Sequence, residues 1–144
     1  VAAIRFREFK PVKRFVTLCK PIMGISEEVS QINGLTAEML ENKLEFAFYA
    51  KHLQDFIAKD NLVGHNLRFD LSFLMINGVD VNSYQRKYFD TWQIAKKMVR
   101  RIKNYKLDTL ADFFGIPNYF EHSALNDAYI AGKVFERLCY RKFY

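Results

Sequence analysis

Apolar and polar positions alternate weakly over residues 1 to 8 and again over 13 to 19, which is the period of a half-buried strand. Lys10-Pro11 between them suits a hairpin turn. Glu27 to Ile32 reads as a short helix closed by Asn33-Gly34, a strong turn signal. Thr36 stands where an N-cap belongs for a second short helix, with Glu38 in its first turn. From Glu45 to Ala58 the period changes: Phe46, Tyr49, Leu53, Phe56 and Ile57 fall on one helical stripe. Asn61 to Gly64 is a short buried strand, followed by a helix from Phe69 to Asn77 that ends at Gly78. Tyr88-Phe89 is a further short strand, and Asp90-Thr91 caps the helix after it. Leu107 to Phe114 is helical, with Gly115 past its end and Pro117 beyond, and Ser123 to Tyr140 is the last helix. Hairpin strands first, then strands alternating with helices, predict an α/β layer architecture with a mixed sheet.

Composition narrows the class without naming a function. The chain has 144 residues, 50% hydrophobic and 26% charged, which predicts one domain over residues 1–144 and excludes a disordered or collagenous chain. No apolar run is long enough to span a bilayer, so no membrane partner is expected. The net charge of +6 favours a polyanionic partner. Cys19 and Cys139 have no CxxC neighbour, so they read as free thiols in a reducing cytoplasm, and no secretory leader is read at the start. Glycine is scarce and neither GxGxxG nor a P-loop occurs, which disfavours the nucleotide-cofactor folds built on those loops.

Chemistry is expected where polar residues occupy core positions. The apolar stripe of the last helix runs Ala124, Ala128, Ala131, Phe135, Leu138, and Asp127 falls on or beside it. An ionised carboxylate there costs several kcal/mol unless a cation or a metal meets it, so either an Arg or Lys from another element or a metal ion is its partner. A second signal is Gly64-His65-Asn66-Leu67-Arg68-Phe69-Asp70. Its polar residues follow a buried strand at the C-terminal edge, where α/β sheets place ligands. Asp70 enters the next helix beside Phe69, Phe73 and Leu74; the plainer role for it is a first-turn carboxylate favoured by the helix dipole. Asp90 is most simply a cap. His122, five residues ahead of Asp127, is a candidate base because imidazole titrates near neutrality. His52, on the polar side of its helix, reads as a surface residue. Two carboxylates on apolar faces, a histidine nearby and no cysteine point to Mg²⁺ or Mn²⁺ rather than Zn²⁺. Two such ions typically serve in-line displacement at phosphorus.

These segments resemble the DEDDh superfamily of DnaQ-like 3'–5' exonucleases, which includes proofreading subunits of bacterial DNA polymerase III. Gly64 to Asp70 is similar to the second motif, and His122-Ser123-Ala124-Leu125-Asn126-Asp127 to the third. Asn33-Gly34-Leu35-Thr36 resembles the turn ahead of the second motif, and Tyr105-Lys106-Leu107-Asp108-Thr109-Leu110 the segment ahead of the third. The resemblance implies an RNase H-like fold, a five-stranded mixed β-sheet flanked by helices. It also implies two divalent ions (Mg²⁺ or Mn²⁺) held by four acids, with Asp70 and Asp127 among the metal ligands and His122 as general base. Asn66 and Phe69 would be scaffold or substrate-contacting residues beside the site, and His65, Tyr105 and Lys106 are further candidates for substrate contact. The first motif, an aspartate and a glutamate separated by one residue on the first strand, has no counterpart, since no acid precedes Glu8. Val1 to Arg7 resembles the family's second strand, so a central first strand and its two acids are expected upstream.

Lys96, Lys97, Arg100, Arg101, Lys103 and Lys106, with Tyr105 among them, form a basic cluster. It reads either as a phosphate-tracking surface with an aromatic for stacking or as the solvated face of a helix whose apolar side is Ile94, Met98 and Ile102. The resulting expectation is a metal-dependent 3'–5' exonuclease acting on single-stranded DNA or RNA 3' ends, with a DNA polymerase subunit as a candidate partner. The alternative is a degenerate exonuclease-fold module that binds nucleic acid or a polymerase without cleaving.

Overall fold

The computed structural model describes residues 1–119 and 123–141. Strands β1 (Ala2–Arg7) and β2 (Lys10–Val16) form an antiparallel hairpin. Two short helices, α1 (Glu27–Asn33) and α2 (Ala37–Glu41), follow, capped by the Ser26 and Thr36 hydroxyls. A 3₁₀ turn at Phe46–Phe48 leads into α3 (Ala50–Ile57). Then come β3 (Leu62–Gly64), α4 (Leu67–Ile76), β4 (Tyr88–Asp90), α5 (Thr91–Met98), α6 (Leu107–Phe113) and α7 (Ala124–Arg141).

Both pairing senses of a mixed sheet are present, in two separate two-stranded pieces: β1–β2 antiparallel and β3–β4 parallel. Helices cover both pieces on two sides. Ala3 and Phe15 of the hairpin and Leu62 of β3 pack against the cluster of Phe46, Ala50, Leu53 and Ile57. On the other side α7 lies on both β1 and β3. The ring of Phe6 faces Tyr129, and Phe89 of β4 faces Phe135. At Gly132 a Cβ would stand 2.6 Å from the Phe6 ring, so glycine permits this approach of hairpin to helix. A second core joins α5, α6 and α7 through Ala95, Val99, Leu110, Ile130, Val134 and Leu138. Burying each of its large aliphatic side chains is worth about 1.5–3 kcal/mol.

The second strand runs Lys10–Val16 rather than 13–19, and the helix expected over Glu45–Ala58 is a 3₁₀ turn followed by α3 from Ala50. Two further local features differ from the sequence reading. The hairpin turn is Glu8–Phe9, both in the left-handed region, while Lys10 and Pro11 lie within β2. Proline is tolerated because β2 is an edge strand. The turn moves upstream because Phe9 is drawn onto Phe135 and Tyr140 of α7. Second, α5 ends at Met98 and Val99 is extended, so the basic run is not one helix face. Ile102 reaches the core from a loop. Among the described residues no helix is long and apolar enough to cross a membrane.

Candidate active site

Strands β3 and β4 pair in parallel with Gly64 beside Asp90, so both end on one line. Residues leaving them, His65-Asn66 on one side and Thr91 on the other, therefore meet at the C-terminal edge. A Cβ on Gly64 would lie 2.7 Å from the Leu67 side chain. Glycine thus lets the chain turn sharply from β3 into α4. Asn66 takes the left-handed conformation in this turn (φ 60°), which short polar side chains tolerate better than most.

Asp90 holds the turn. One of its oxygens accepts from the backbone N–H of Asn66 at 3.0 Å, Trp92 at 3.0 Å and, more loosely, Gln93 at 3.5 Å. The other accepts from Leu67 N–H at 3.1 Å. One carboxylate therefore serves the N-termini of both α4 and α5, whose first N–H groups lack helical partners and whose dipoles favour negative charge. The sequence disclosed the cap on α5. It did not disclose the clamp on α4, because that depends on the β3–β4 register.

His65 is half-buried, its Nδ1 2.9 Å from the Thr91 hydroxyl, which lies 3.2 Å from the Gly64 carbonyl. Thr91 is fully buried. Desolvation pushes the His65 pKa below its ordinary value, against the Asp90 charge, the Tyr105 backbone and the Asp108 charge, which act to raise it. His65 thus bridges β3 and α5, in a setting whose burial disfavours its charged form. Tyr105 likewise packs on the core and donates its phenol proton to the Val99 carbonyl at 3.1 Å. Lys106 follows it, exposed.

Asp70 sits in the first turn of α4. The residue is exposed, not packed on an apolar face as its neighbours suggested, because this side of α4 faces solvent. Partial desolvation of the carboxyl still raises its pKa above the usual carboxylate value; a backbone hydrogen bond opposes the shift, and the nearby Asp90 charge adds to it. Phe69 is 74% exposed, unusual for so large an apolar ring. Asp127 lies half-buried in the first turn of α7, its N–H bonded to the Ser123 carbonyl at 2.8 Å. It shares a helical stripe with Ile130, Ala131, Val134 and Leu138, as expected of a carboxylate on the packed side. His122 lies outside the described residues.

The structure thus gathers His65, Asn66, Asp70 and the Tyr105 backbone around Asp90 and Thr91. Asp127 comes from a separate helix that packs on β3. Asp70 and Asp127 offer the hard oxygen donors that suit Mg²⁺ or Mn²⁺. Asp90 is already committed to backbone N–H groups. Among the described residues, no group of three His, Cys, Asp or Glu side chains forms a metal-holding cluster.

A family model described as exonuclease (RNase_T) matches residues 1–135. The chain is 32% identical over 142 residues to a DNA polymerase III PolC-type protein of Thermotoga petrophila, covering 95% of this chain and 10% of that protein. It is 31% identical over 139 residues to a DNA polymerase III subunit epsilon of Treponema pallidum, covering 94% of this chain and 65% of that protein. The chain therefore spans about a tenth of the PolC-type relatives and just under two thirds of this epsilon relative. A solved structure of exonuclease X in complex with 5' overhanging duplex DNA superposes with a TM-score of 0.77 at 21% identity. The superposition covers 99% of this chain and 82% of that one, and it shows a shared fold.

Proposed function

We infer the chemistry from one premise, that this chain belongs to the RNase_T exonuclease family. On that premise the chain is the exonuclease domain of a 3'–5' exonuclease that releases nucleoside monophosphates from single-stranded DNA or RNA. A DNA polymerase is the partner that the PolC-type and epsilon relatives favour. The observation that carries the reading is the C-terminal edge of β3 and β4. There the Asp90 clamp fixes the turn that presents Asn66, Phe69 and Asp70, on a strand pair covered by the helix that bears Asp127.

Exonucleases of this family use divalent metal ions, which stabilise charge developing at phosphorus and lower the pKa of bound water. Asp70 and Asp127 would hold them in this chain. His122 takes a proton from the attacking water as its oxygen bonds to phosphorus; the P–O3' bond breaks, and the electron pair leaves on the 3' oxygen of the shortened strand. Phe69, exposed beside Asp70, offers a ring on which the terminal base stacks. His65 and Asn66 shape the floor beneath it.

Two acids are fewer than a pair of ions needs. We propose that the gap between β1 and β3 seats a further strand with the other acids: each of the two strands is paired on one edge only among the described residues, and both lie on α7. The second reading, a module that binds nucleic acid or a polymerase without cleaving, is favoured by the lack, among the described residues, of any group of three His, Cys, Asp or Glu side chains that could hold a metal.

Degradation of a single strand labelled at its 3' end, by the full-length protein with Mg²⁺ or Mn²⁺, separates the two. Loss of the 3' label with release of mononucleotide, abolished in both Asp127→Ala and His122→Ala, is the expected result. An inert full-length protein, or either variant cleaving at the wild-type rate, refutes the catalytic assignment. Matched DNA and RNA strands in the same assay identify the sugar preference.

A further inference from the structure

The loop between α5 and α6 carries a set of cations that no fold contact uses. Lys96 is occupied, its ammonium 4.3 Å from the centre of the Trp92 ring. Lys96 and Lys97 both sit in the last turn of α5, where the helix dipole favours positive charge. Arg100, Arg101 and Lys103 have no such role. All three are exposed, and among the described residues none is in an ion pair, although Asp108 and Asp112 of α6 follow closely in the chain.

The backbone beneath them is pinned. Ile102 packs on the α5–α6–α7 core, the Tyr105 phenol bonds the Val99 carbonyl at 3.1 Å, and Asn104 accepts from Lys106 N–H at 2.9 Å. The core-packed Ile102 and Tyr105 interleave with the exposed cations at 100, 101 and 103, and Asn104 closes the turn before Lys106. Arg101 is held in the left-handed region (φ 59°), where glycine or asparagine is the usual occupant. The loop returns toward the candidate active site at Tyr105, whose backbone acts on the His65 imidazole, and the core residues Ile102 and Tyr105 hold it against α5 and α7, the helices that begin at Thr91 and bear Asp127.

We propose that Arg100, Arg101 and Lys103 form a phosphate track. It holds the backbone of a single nucleic-acid strand as that strand leaves the site at the β3–β4 edge, and it rests on the exonuclease reading above. Preorganised cations facing solvent from a fixed loop are what a sequence-independent grip on a polyanion needs. The grip works by releasing counterions, so its signature is salt dependence.

The test measures binding of a fluorescent oligothymidylate to the full-length protein in EDTA, so that no cleavage intervenes, across a range of salt. Each phosphate contact to a single strand contributes about 0.7 to the log–log slope. The triple variant Arg100→Ala, Arg101→Gly, Lys103→Ala is therefore expected to lose about 2 from the slope. Glycine at 101 suits the backbone there, and a urea midpoint reports on folding. Lys103→Ala alone, at a residue outside the left-handed region, loses about 0.7 and stands if the triple variant misfolds. The charge-conserving set Arg100→Lys, Arg101→Lys, Lys103→Arg keeps the wild-type slope. Unchanged slopes in the alanine variants, or a wild-type protein that does not bind the strand, overturn the proposal. A variant that loses a polymerase partner while its slope stays the same assigns the loop to that protein instead. Cleavage by the wild type with unchanged slopes sinks the track alone. A lost slope in a protein that never cleaves sinks the catalytic reading alone.

Discussion

Removing the Asp90 carboxylate tests whether one side chain organises the site. Asp90→Ala strips acceptors from Asn66 and Leu67 at the head of α4 and from Trp92 and Gln93 at the head of α5. Losing one N-cap costs typically ~1 kcal/mol, and hydrogen bonds to a charged group are worth about 1.5–3 kcal/mol each. The Gln93 contact is long, and water replaces part of what is lost at this half-buried position, so the net loss is expected near ~2–4 kcal/mol. Asp90→Asn retains an acceptor for Asn66 and Trp92 but, in that orientation, turns an amide NH₂ toward the Leu67 N–H. It is expected to cost roughly half as much. Urea unfolding with equal m-values for the three proteins measures this directly. The variants should also lose cleavage rate beyond their loss of folded protein, because the clamp sets the turn that presents Asp70. The reasoning fails if Asp90→Ala costs under about 0.5 kcal/mol, the range of an ordinary surface change. It fails equally if the asparagine is as damaging as the alanine.

Two further outcomes follow from the packing and the charge. Gly132→Ala places a methyl 2.6 Å from the Phe6 ring; the overpacking cost of about 1–3 kcal/mol should outweigh the ~1 kcal/mol gained in helix propensity, so Tm falls, and Phe6→Leu in the same chain should recover part of it. The His65 pKa is depressed in the folded protein, so on acidification the unfolded chain takes up this proton first; the stability tied to a neutral His65 is complete above about pH 6.5 and declines as pH falls below it, a step that His65→Gln should remove from a series of urea midpoints at different pH.

Much of this molecule was legible in one dimension. The periods of 2 and 3.6 located the hairpin, the stripe of α3 and the long α7, and they put Asp127 on a packed stripe. Capping chemistry marked Thr36 and Asp90 at helix starts. Such features depend on residues within a few positions of one another, so their cause is present in the local sequence. What the tertiary structure decided depends on residues far apart in the chain. The β3–β4 register made Asp90 a clamp on two helices and set His65 against Thr91, 26 residues away. Close approach required Gly64 for the turn of Leu67 and Gly132 for the ring of Phe6, contacts that no periodicity encodes. The helix expected to carry the basic run stopped at Met98, because core packing of Val99, Ile102 and Tyr105 outweighed continued helical spacing. The sequence by itself determined what kind of element most segments form and where the carboxylates and histidines fall along them. Only the packing of distant segments decided which of them share an edge, which are spent on holding it, and which cations face water.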